Sequence, residues 1–380
     1  MPDDLSALRR PALEKALSEL DELLTQSGRA FLIGAGCSKC AGVPLTAELT
    51  EKALASSILD CTAKEILTAV QTMFSGSSDA NIEDFLSELI DLLAIADRRS
   101  LRAATSASIQ LNGKGYSADQ LRGATEQVKR AIADVIDQNV TIGTHWRFIK
   151  AIHRPLRPGK ATSTKSVDYL VLNYDTLIED ALALEKLTYA DGMGGGITAW
   201  WNEKSFYEDS LAARVLKLHG SINWCEFPDD PLPRRISAKL NLPESTDRRV
   251  LIWPASTKYR ETQIDPFAQL ASVSRIILRP KAGSQTVLTV CGYGFSDSHI
   301  NLEIDRALRE SADRLTIVAF TSDDRPKGQL KEWNEDPAVQ NQVRIYAKNG
   351  FFHGSTSEES AVELPWWKFE NVTRVLEGER

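Results

Sequence analysis

Four short apolar runs, each ending abruptly in glycine or polar residues, organise the hydrophobic pattern of this sequence. They are Ala30 to Ile33, Tyr169 to Leu172, Val215 to Leu218 and Thr286 to Cys291. Apolar runs of this length, bounded by turn residues, are typical of strands in the buried part of a sheet. Helical spacing follows the first, second and fourth runs, as in an open parallel sheet with helices on both faces. The pattern predicts an α/β fold with a doubly wound, mostly parallel Rossmann-like sheet.

Shorter signals fill in the second half of the chain. Further strands are predicted at Val250 to Trp253, Leu315 to Phe320 and Val343 to Tyr346, and a helix at Pro266 to Ile277. Three stretches rich in glycine, proline or charged residues are predicted as loops or linkers. These stretches are residues 155–165, the glycine-rich residues 192–196 that lead to Trp200-Trp201, and residues 226–250.

Residues 46 to 155, which separate the first two strands, carry helical patterns almost throughout. Three segments show helical patterns: Asn81 to Leu93, residues 118–138, and the stretch that begins near Thr144. A crossover between parallel strands needs far fewer residues than this. We therefore predict an inserted helical subdomain over residues 46–159, lying over the loop after the first strand. Residues 1–45 and 160–380 would together form the sheet domain.

The loop after the first strand, Gly34-Ala35-Gly36, has the composition of a phosphate-binding turn. Backbone without a Cβ atom can adopt unusual dihedral angles and lets a pyrophosphate approach closely. A strand, a glycine turn and a helix in that order also offer N–H groups and a helix N-terminus to a phosphate. The spacing departs from the usual dinucleotide fingerprint because Gly42 comes late. A plain tight turn is the alternative interpretation.

Each of the other three strands also ends in residues that can carry chemistry. Asn173 and Asp175 follow the second strand, His219 the third, and the segment Gly292 to Asp297 the fourth. Ligands of open parallel sheets bind beyond the carboxyl ends of the strands, so residues distant in sequence converge on one crevice. In that crevice His219 is a candidate general base, because imidazole titrates near neutral pH.

These residues also have structural interpretations. His219 could be a satisfied structural histidine, and Asn173 could form a turn at the end of its strand. Asp297 could cap the helix that begins at Ser298. The remaining histidines have no partners that the sequence assigns, and we expect structural roles for them: His145, His153, His299 and His353.

Composition and charge narrow the class of protein. The 380 residues are 42% hydrophobic and 26% charged, which is ordinary for a soluble protein. A net charge of −7 argues against a chain that binds nucleic acid directly. The sequence has no apolar run of about 18 residues, and its acidic N-terminus lacks a signal-peptide core. We therefore expect a cytoplasmic protein that makes no membrane contact.

The five cysteines form no evident disulfide framework. Cys37 and Cys40 have the Cys-x-x-Cys spacing of a metal or redox site. No second pair exists to complete a four-thiolate zinc site, and both cysteines lie inside the glycine loop. We therefore predict no metal site.

Taken together, the motifs resemble a known family. In order and placement they are similar to the NAD-binding core of the sirtuins: Gly34-Ala35-Gly36-x-Ser38 with Gly42-x-Pro44, then Asn173-x-Asp175, then His219-Gly220. The resemblance is strongest to the bacterial sirtuin-like proteins of anti-phage defence systems. That branch shows the long helical insertion, a Lys-Leu-His-Gly-Ser-x-x-Trp segment (Lys217 to Trp224) and a Gly-Tyr-Gly-Phe-Ser-Asp stretch (Gly292 to Asp297). The resemblance covers most of residues 29 to 325.

Three departures from the protein-deacylating sirtuins are informative. Those enzymes continue the glycine loop with Pro-Asp-Phe-Arg, where this chain has Pro44-Leu45-Thr46-Ala47. They carry Gln before the catalytic Asn, where Leu172 stands here. They also have a four-cysteine zinc module after the catalytic His, where this chain has only Cys225. The lost parts are those associated with acyl-lysine peptides, whereas the NAD-cleaving centre is retained.

The resemblance implies cleavage of NAD between nicotinamide and C1′ of its ribose, without zinc. Asp175 would hold the nicotinamide carboxamide, and Asn173 would orient the ribose and the attacking water. His219 would take a proton from that water or from a ribose hydroxyl. Backbone N–H groups of the glycine loop and the Ser38 hydroxyl would hold the pyrophosphate. The residues assigned to NAD binding are Gly34, Ala35, Gly36, Ser38, Pro44 and, on the adenosine side, Gly292, Gly294 and Asp297.

The first hypothesis is an NAD glycohydrolase that depletes cellular NAD in an abortive anti-phage response. A helical insertion able to block the crevice fits an enzyme that is silent until activated. The resemblance implies a homo-oligomer and a partner such as a HerA-type translocase ATPase or an Argonaute, since the chain has no Gly-x-x-x-x-Gly-Lys-Ser/Thr motif of its own. The alternatives are an NAD-dependent protein deacylase and a module that senses NAD or ADP-ribose without turnover.

Overall fold

The chain folds around one large sheet. The computed structural model describes residues 3–25, 28–74, 80–102, 108–153, 166–227, 230–236, 249–252 and 265–379. The strands in these ranges are β1 (Arg29–Ile33), β2 (Ile109–Leu111), β3 (Lys114–Tyr116), β4 (Val167–Val171), β5 (Tyr189–Ala190), β6 (Met193–Gly195), β7 (Ala199–Trp201), β8 (Ala213–Lys217), β9 (Gly220–Phe227), β10 (Asp230–Arg235), β11 (Arg249–Ile252), β12 (Thr286–Cys291), β13 (Leu315–Thr321), β14 (Val343–Ala347), β15 (Gly350–His353) and β16 (Thr356–Glu359).

Helices connect these strands and cover the sheet. The α-helices in the same ranges are α1 (Pro11–Leu24), α2 (Thr46–Leu54), α3 (Cys61–Met73), α4 (Ile82–Ser100), α5 (Ala118–Ile136), α6 (Gly143–His153), α7 (Leu177–Leu184), α8 (Phe267–Leu278), α9 (Ser298–Glu310), α10 (Gly328–Glu335) and α11 (Phe369–Leu376). Within the described ranges, none of them combines the length and the apolar character that a bilayer crossing requires.

The order of the strands is that of a doubly wound sheet. In the described part of the chain nine strands pair in the order β16-β15-β14-β13-β12-β1-β4-β8-β5. The pairs from β14 through to β5 are parallel, and the hairpin strands β15 and β16 run antiparallel at one edge. The chain leaves β1 toward β4 and β8 on one side and returns to β12 on the other. The predicted doubly wound, mostly parallel fold is confirmed, and its topological switch point lies between β1 and β12.

Hydrophobic cores cover both faces of the sheet, which explains the unbroken apolar runs. In β1, Phe31 and Ile33 belong to one core, whereas Ala30 and Leu32 belong to another. Helices α1, α6, α7 and α11 supply the first core, and α8, α9 and α10 supply the second. Successive side chains of a strand point to opposite faces, so a strand buried on both sides is apolar at most of its positions.

Between β1 and β4 the chain forms a helical region with a core of its own. Helices α2, α3, α4 and α5 supply this third core, which also takes in Tyr174 and Leu177 from the segment after β4. Asn81, the first residue of a predicted helical segment, caps helix α4 in a capping box that Asp84 completes. Helix α6 packs in the first core instead. The division of the chain into a sheet domain and an inserted subdomain stays a prediction.

One turn inside this region proves to be a hairpin. The glycines of Gly113-Lys114-Gly115 indicate a turn between two of the predicted helices, and β2 and β3 pair there as an antiparallel hairpin. Its two-residue loop is Asn112-Gly113, with φ values of 47° and 78°. Asn-Gly is the pair that favours such a loop, because both of its residues adopt positive φ readily.

A second sheet lies partly in stretches that were predicted as loops, and its strand β11 overlaps the strand predicted at Val250 to Trp253. Among the described residues, five strands pair antiparallel in the order β11-β9-β10-β7-β6. The loop prediction is therefore wrong for the glycine-rich strand β6 and the proline-rich strand β10. In β10 the pairing shifts register between Asp230 and Arg234, and proline is tolerated at such irregularities. Residues 237–248 and 154–165, which fall in a predicted loop and the predicted linker, lie outside the described residues.

At the switch point, the segments after β1 and β12 touch backbone to backbone. A Cβ atom on Gly34 would lie 2.5 Å from the carbonyl oxygen of Gly292, and one on Gly292 would lie 2.4 Å from the nitrogen of Cys37. Gly292 also has a φ of 63°, in the left-handed region that favours glycine. The N–H of Gly36 donates to the Gly292 carbonyl at 2.9 Å. No side chain fits at this contact.

We predict that Gly292→Ala lowers the free energy of unfolding by roughly 2–4 kcal/mol, because its Cβ atom overpacks the contact and strains a left-handed backbone. Gly294→Ala is the matched control, since a Cβ atom there has nothing within 4 Å. Its expected change is below about 1 kcal/mol. Urea unfolding followed by tryptophan fluorescence measures both variants. Equal losses in the two variants would contradict the close-packed contact.

A second prediction concerns His153, whose Nε2 lies 3.0 Å from the Tyr169 hydroxyl. Burial, reinforced by the Arg29 charge, lowers the pKa of His153 to about 4. This folded-state pKa lies below the unfolded value of about 6.5, so the folded protein binds fewer protons and loses stability as the pH falls from about 6.5 to about 4. His153→Gln should flatten that decline by up to about 1.4 kcal/mol per pH unit. Unfolding free energies measured from pH 8 to pH 4 test this, and parallel curves for the two proteins would refute it.

Candidate active site

The polar residues predicted from the sequence gather at one edge of the large sheet. Strands β12, β1, β4 and β8 are consecutive neighbours in the sheet, and all four are parallel. Their carboxyl ends therefore face the same crevice. Asn173 and Asp175 follow β4, His219 follows β8, and Asp297 follows β12. All four residues are buried, with less than a tenth of their surface exposed.

Ser38 is the centre of a buried hydrogen-bond group that joins the glycine loop to the end of β4. Its hydroxyl donates to Asp175 Oδ2 at 2.6 Å and accepts from Asn173 Nδ2 at 2.7 Å. The same Asn173 amide nitrogen donates to the carbonyl of Gly34 at 3.1 Å. Asp175 Oδ1 accepts from the N–H of Leu177 at the start of α7, at 3.1 Å. The Ser38 hydroxyl, predicted as a pyrophosphate ligand, is thus occupied within the protein.

The side-chain oxygen of Asn173 is the exception in this group. Asn173 Oδ1 is buried and has no hydrogen-bond partner. A buried acceptor without a donor is unfavourable by about 1–3 kcal/mol, so such atoms in a crevice are candidates for ligand contact. A hydroxyl group of a bound sugar, or a water molecule, would supply the missing donor. The group therefore fits a nucleotide sugar at this position.

His219 forms a pair with Asp297. His219 Nε2 lies 3.3 Å from Asp297 Oδ2, and both side chains are buried. The other oxygen, Asp297 Oδ1, accepts from the N–H groups of His299 and Ile300 and so caps α9. Because β1 and β4 lie between β12 and β8, this pair bridges the ends of two strands. Asp297, which the resemblance assigns to the adenosine side of NAD, therefore adjoins the candidate base.

A buried lysine lies directly beneath this group. Lys217, the last residue of β8, donates from Nζ to the main-chain carbonyl of Asp175. Its Nζ also lies 3.5 Å from Glu179 Oε1 on α7. Burial raises the pKa of Glu179 to about 7, and the Lys217 charge opposes that shift. Neither residue was predicted from the sequence, although a charged residue that ends an apolar strand two positions before His219 was a usable signal.

Two further residues near the site were also missed. The Tyr174 hydroxyl donates to Glu83 Oε1 on α4 at 2.8 Å, so the residue between Asn173 and Asp175 reaches into the helical region. His145 on α6 is buried, and burial lowers its pKa to about 4 against the opposing charge of Asp175. At neutral pH His145 is therefore uncharged.

The glycine loop differs in detail from the prediction. The N–H of Gly34 donates to the Cys291 carbonyl and that of Gly36 to the Gly292 carbonyl, both at 2.9 Å. These two donors are therefore engaged within the protein. We had predicted instead that they would bind a pyrophosphate. Ala35 and Gly294 are exposed at the rim of the crevice, whereas Pro44 is buried where the loop leads into α2.

The cysteines of the loop are buried thiols. Burial raises the pKa of Cys37 well above its ordinary value and that of Cys291 to about 12, so both stay protonated at neutral pH. In the part of the chain that the structure describes, no group of three or more His, Cys, Asp or Glu side chains is placed to hold a metal ion.

An apolar cavity opens beside His219. It lies between the sheet and helices α8 and α9, and its apolar lining includes Leu32, Leu170 and Leu288. Arg275 and Glu303, which pair through two hydrogen bonds of 2.9 and 3.0 Å, form part of its polar lining. Such a lining suits a hydrocarbon or aromatic group better than a phosphate, whose charge would lose its hydration there.

The comparison with protein families agrees with this geometry. A family model for the SIR2-like domain matches residues 168–340, a stretch that runs from β4 to the segment before β14. The match includes Asn173, Asp175, His219 and Asp297 and leaves out the glycine loop. No curated protein sequence matches the chain. The match supports a sirtuin-like protein whose SIR2-like domain implies NAD binding.

The double role of Asp297 yields a stability prediction. Asp297→Ala removes the cap of α9 and should lower the free energy of unfolding by about 1–2 kcal/mol. Asp297→Asn keeps an acceptor for the N–H groups of His299 and Ile300, so its loss should be smaller, below about 1 kcal/mol. Chemical denaturation of the two variants beside the parent protein provides the comparison. If Asn is as damaging as Ala, the cap is not what Asp297 contributes to stability.

Proposed function

We propose that this protein is an NAD glycohydrolase, which hydrolyses NAD to nicotinamide and ADP-ribose. The observation that carries the proposal is the convergence of Asn173 and the His219–Asp297 pair at one edge of the sheet, inside the stretch that matches the SIR2-like domain. Asn173 supplies a buried, unpartnered oxygen, and His219 supplies a base. Those are the two functions that hydrolysis at C1′ of a ribose needs.

The proposed mechanism assigns one task to each group. Asn173 Oδ1 accepts from the attacking water and holds it near C1′. In the neutral imidazole, a proton on Nε2 faces Asp297 and makes Nδ1 the basic nitrogen, which takes the proton from the water. The water oxygen forms a bond to C1′ while the bond between C1′ and nicotinamide breaks. The ring nitrogen of nicotinamide keeps the electron pair of the broken bond. Asp297 stabilises the imidazolium that results.

The setting of the activity is also a proposal, and it rests on the resemblance to sirtuin-like defence proteins. We place the enzyme in the cytoplasm, in an anti-phage system that depletes NAD when a partner such as a HerA-type ATPase or an Argonaute signals invasion. Homo-oligomers would be the active form. The inserted helical subdomain, residues 46–159, would control access to the crevice, and the Tyr174–Glu83 hydrogen bond supports such a link.

One observation favours a second candidate, an NAD-dependent protein deacylase. The apolar cavity beside His219 suits an acyl chain, whereas water as the acceptor needs no such cavity. The missing zinc module and the Pro44-Leu45-Thr46-Ala47 sequence, which lacks the Pro-Asp-Phe-Arg pattern, count against it. A module that binds NAD without turnover is the third possibility.

The test is release of nicotinamide from NAD by the purified protein, alone and with the protein encoded beside it, with and without an acetyl-lysine peptide. We expect release without peptide, and a loss of at least about 100-fold in Asn173→Ala and in His219→Ala. His353→Ala is the matched control and should keep the parent activity, because His353 lies on β15, next to the edge strand β16.

Three results would overturn the proposal. Full activity in His219→Ala would remove the assigned base. Release that depends on the peptide would establish the deacylase. Binding of NAD by the folded protein without release, in the presence of the partner, would leave the sensing module.

A further inference from the structure

Lys217 is the most deeply buried charged side chain at the site. The residue is 0% exposed, and Glu179, its ionic partner, is 8% exposed. One oxygen of that partner, Glu179 Oε2, has no hydrogen-bond partner. Removing two charges from water is unfavourable, and their attraction recovers this only with full hydrogen bonding. Stability alone therefore does not explain a lysine at this position.

The contact that Lys217 makes with the main chain offers an explanation. Its ammonium group donates to the carbonyl of Asp175, the residue whose side chain binds the Ser38 hydroxyl. The preceding carbonyl, that of Tyr174, accepts from the Ile222 N–H at 3.0 Å. Consecutive peptide groups after β4 are thus fixed from the side of β8 and β9. The short segment Asn173 to Asp175 has its direction set by these two bonds.

We propose that Lys217 is a positioning residue for the reaction: its ammonium group fixes the peptide of Asp175 and thereby aims Asn173 and Asp175 into the crevice. Glu179 keeps that ammonium group charged and oriented. Lys217 itself does not touch the substrate. The expected effect of Lys217 on turnover rests on the proposed function. Its expected effect on the segment Asn173 to Asp175 rests on the structure alone.

The chain contains a matched control for a buried lysine pair. Lys129 on α5 is 4% exposed, and its Nζ lies 3.5 Å from Glu126 Oε1, the same separation as in the Lys217 pair. Glu126 Oε2 also lacks a hydrogen-bond partner. This pair lies on α5, in the helical region, and not on β8 or α7. Substitutions there reproduce the loss of a buried charge without removing the bond to the Asp175 carbonyl.

The experiment compares Lys217→Met, Glu179→Gln and the double variant with Lys129→Met, all in the full chain. Lys217→Met leaves Glu179 buried without a counter-charge and should lower the melting temperature, as should Lys129→Met. The double variant removes both charges and should recover most of that loss. Its kcat for NAD should stay about tenfold to hundredfold below the parent value, since small misplacements of reacting groups have effects of this size. Its KM should change much less, and Lys129→Met should keep the parent kcat.

Hydrogen exchange supplies a readout that does not depend on turnover. Peptides that cover residues 172–178 should exchange about tenfold faster in the double variant than in the parent, because the anchor of Asp175 is gone. Peptides from β12 should be unchanged. Unchanged exchange at residues 172–178 overturns the positioning role whether or not the protein cleaves NAD. Recovery of kcat in the double variant overturns it as well, whereas a parent protein that never releases nicotinamide refutes the proposed function alone.

Discussion

The contact between the glycine backbones after β1 and β12 is the constraint on which the site depends. Gly34 and Gly36 meet Gly292 where the sheet changes winding direction, and no Cβ atom fits between them. Because the two segments lie this close, the chain after β12 passes over the ends of the neighbouring strands and brings Asp297 to His219. The glycines therefore shape the crevice by allowing main chains to pack. They do so in place of the N–H donation for which such loops are best known.

Much of this architecture was predictable because burial on both faces leaves a clear trace in sequence. The strands β1, β4, β8 and β12 are mostly apolar because hydrophobic cores cover both faces of the sheet, and the polar residues of the candidate site follow the ends of β4, β8 and β12. Parallel strands end at the same edge, so convergence of Asn173, Asp175 and His219 followed from topology alone. The cap of α4 could likewise be predicted from the sequence, because a capping box depends on two residues three positions apart, here Asn81 and Asp84.

What the sequence did not reveal depends on partners that are distant along the chain. The cap of α9 by Asp297 was predicted and is confirmed, but nothing near Asp297 indicates that its other oxygen meets His219. Nothing near Lys217 indicates its bond to the Asp175 carbonyl. The antiparallel sheet from β6 to β11 was missed for another reason. Its strands are short, and β6 and β10 contain the glycine and proline that normally argue for loops, so tertiary pairing overrides local preference there.

The hydrogen bonds around Ser38 have a consequence for affinity. Its hydroxyl already serves Asp175 and Asn173, and both oxygens of Asp175 are taken up by the protein. A ligand that draws on these groups exchanges one hydrogen bond for another, and only the orphaned oxygen of Asn173 offers an uncontested gain. A ligand that binds in this crevice therefore competes with the protein's own side chains for these hydrogen bonds. Any event that loosens those internal bonds, at whatever distance it begins, would tighten binding without adding a single contact to the ligand.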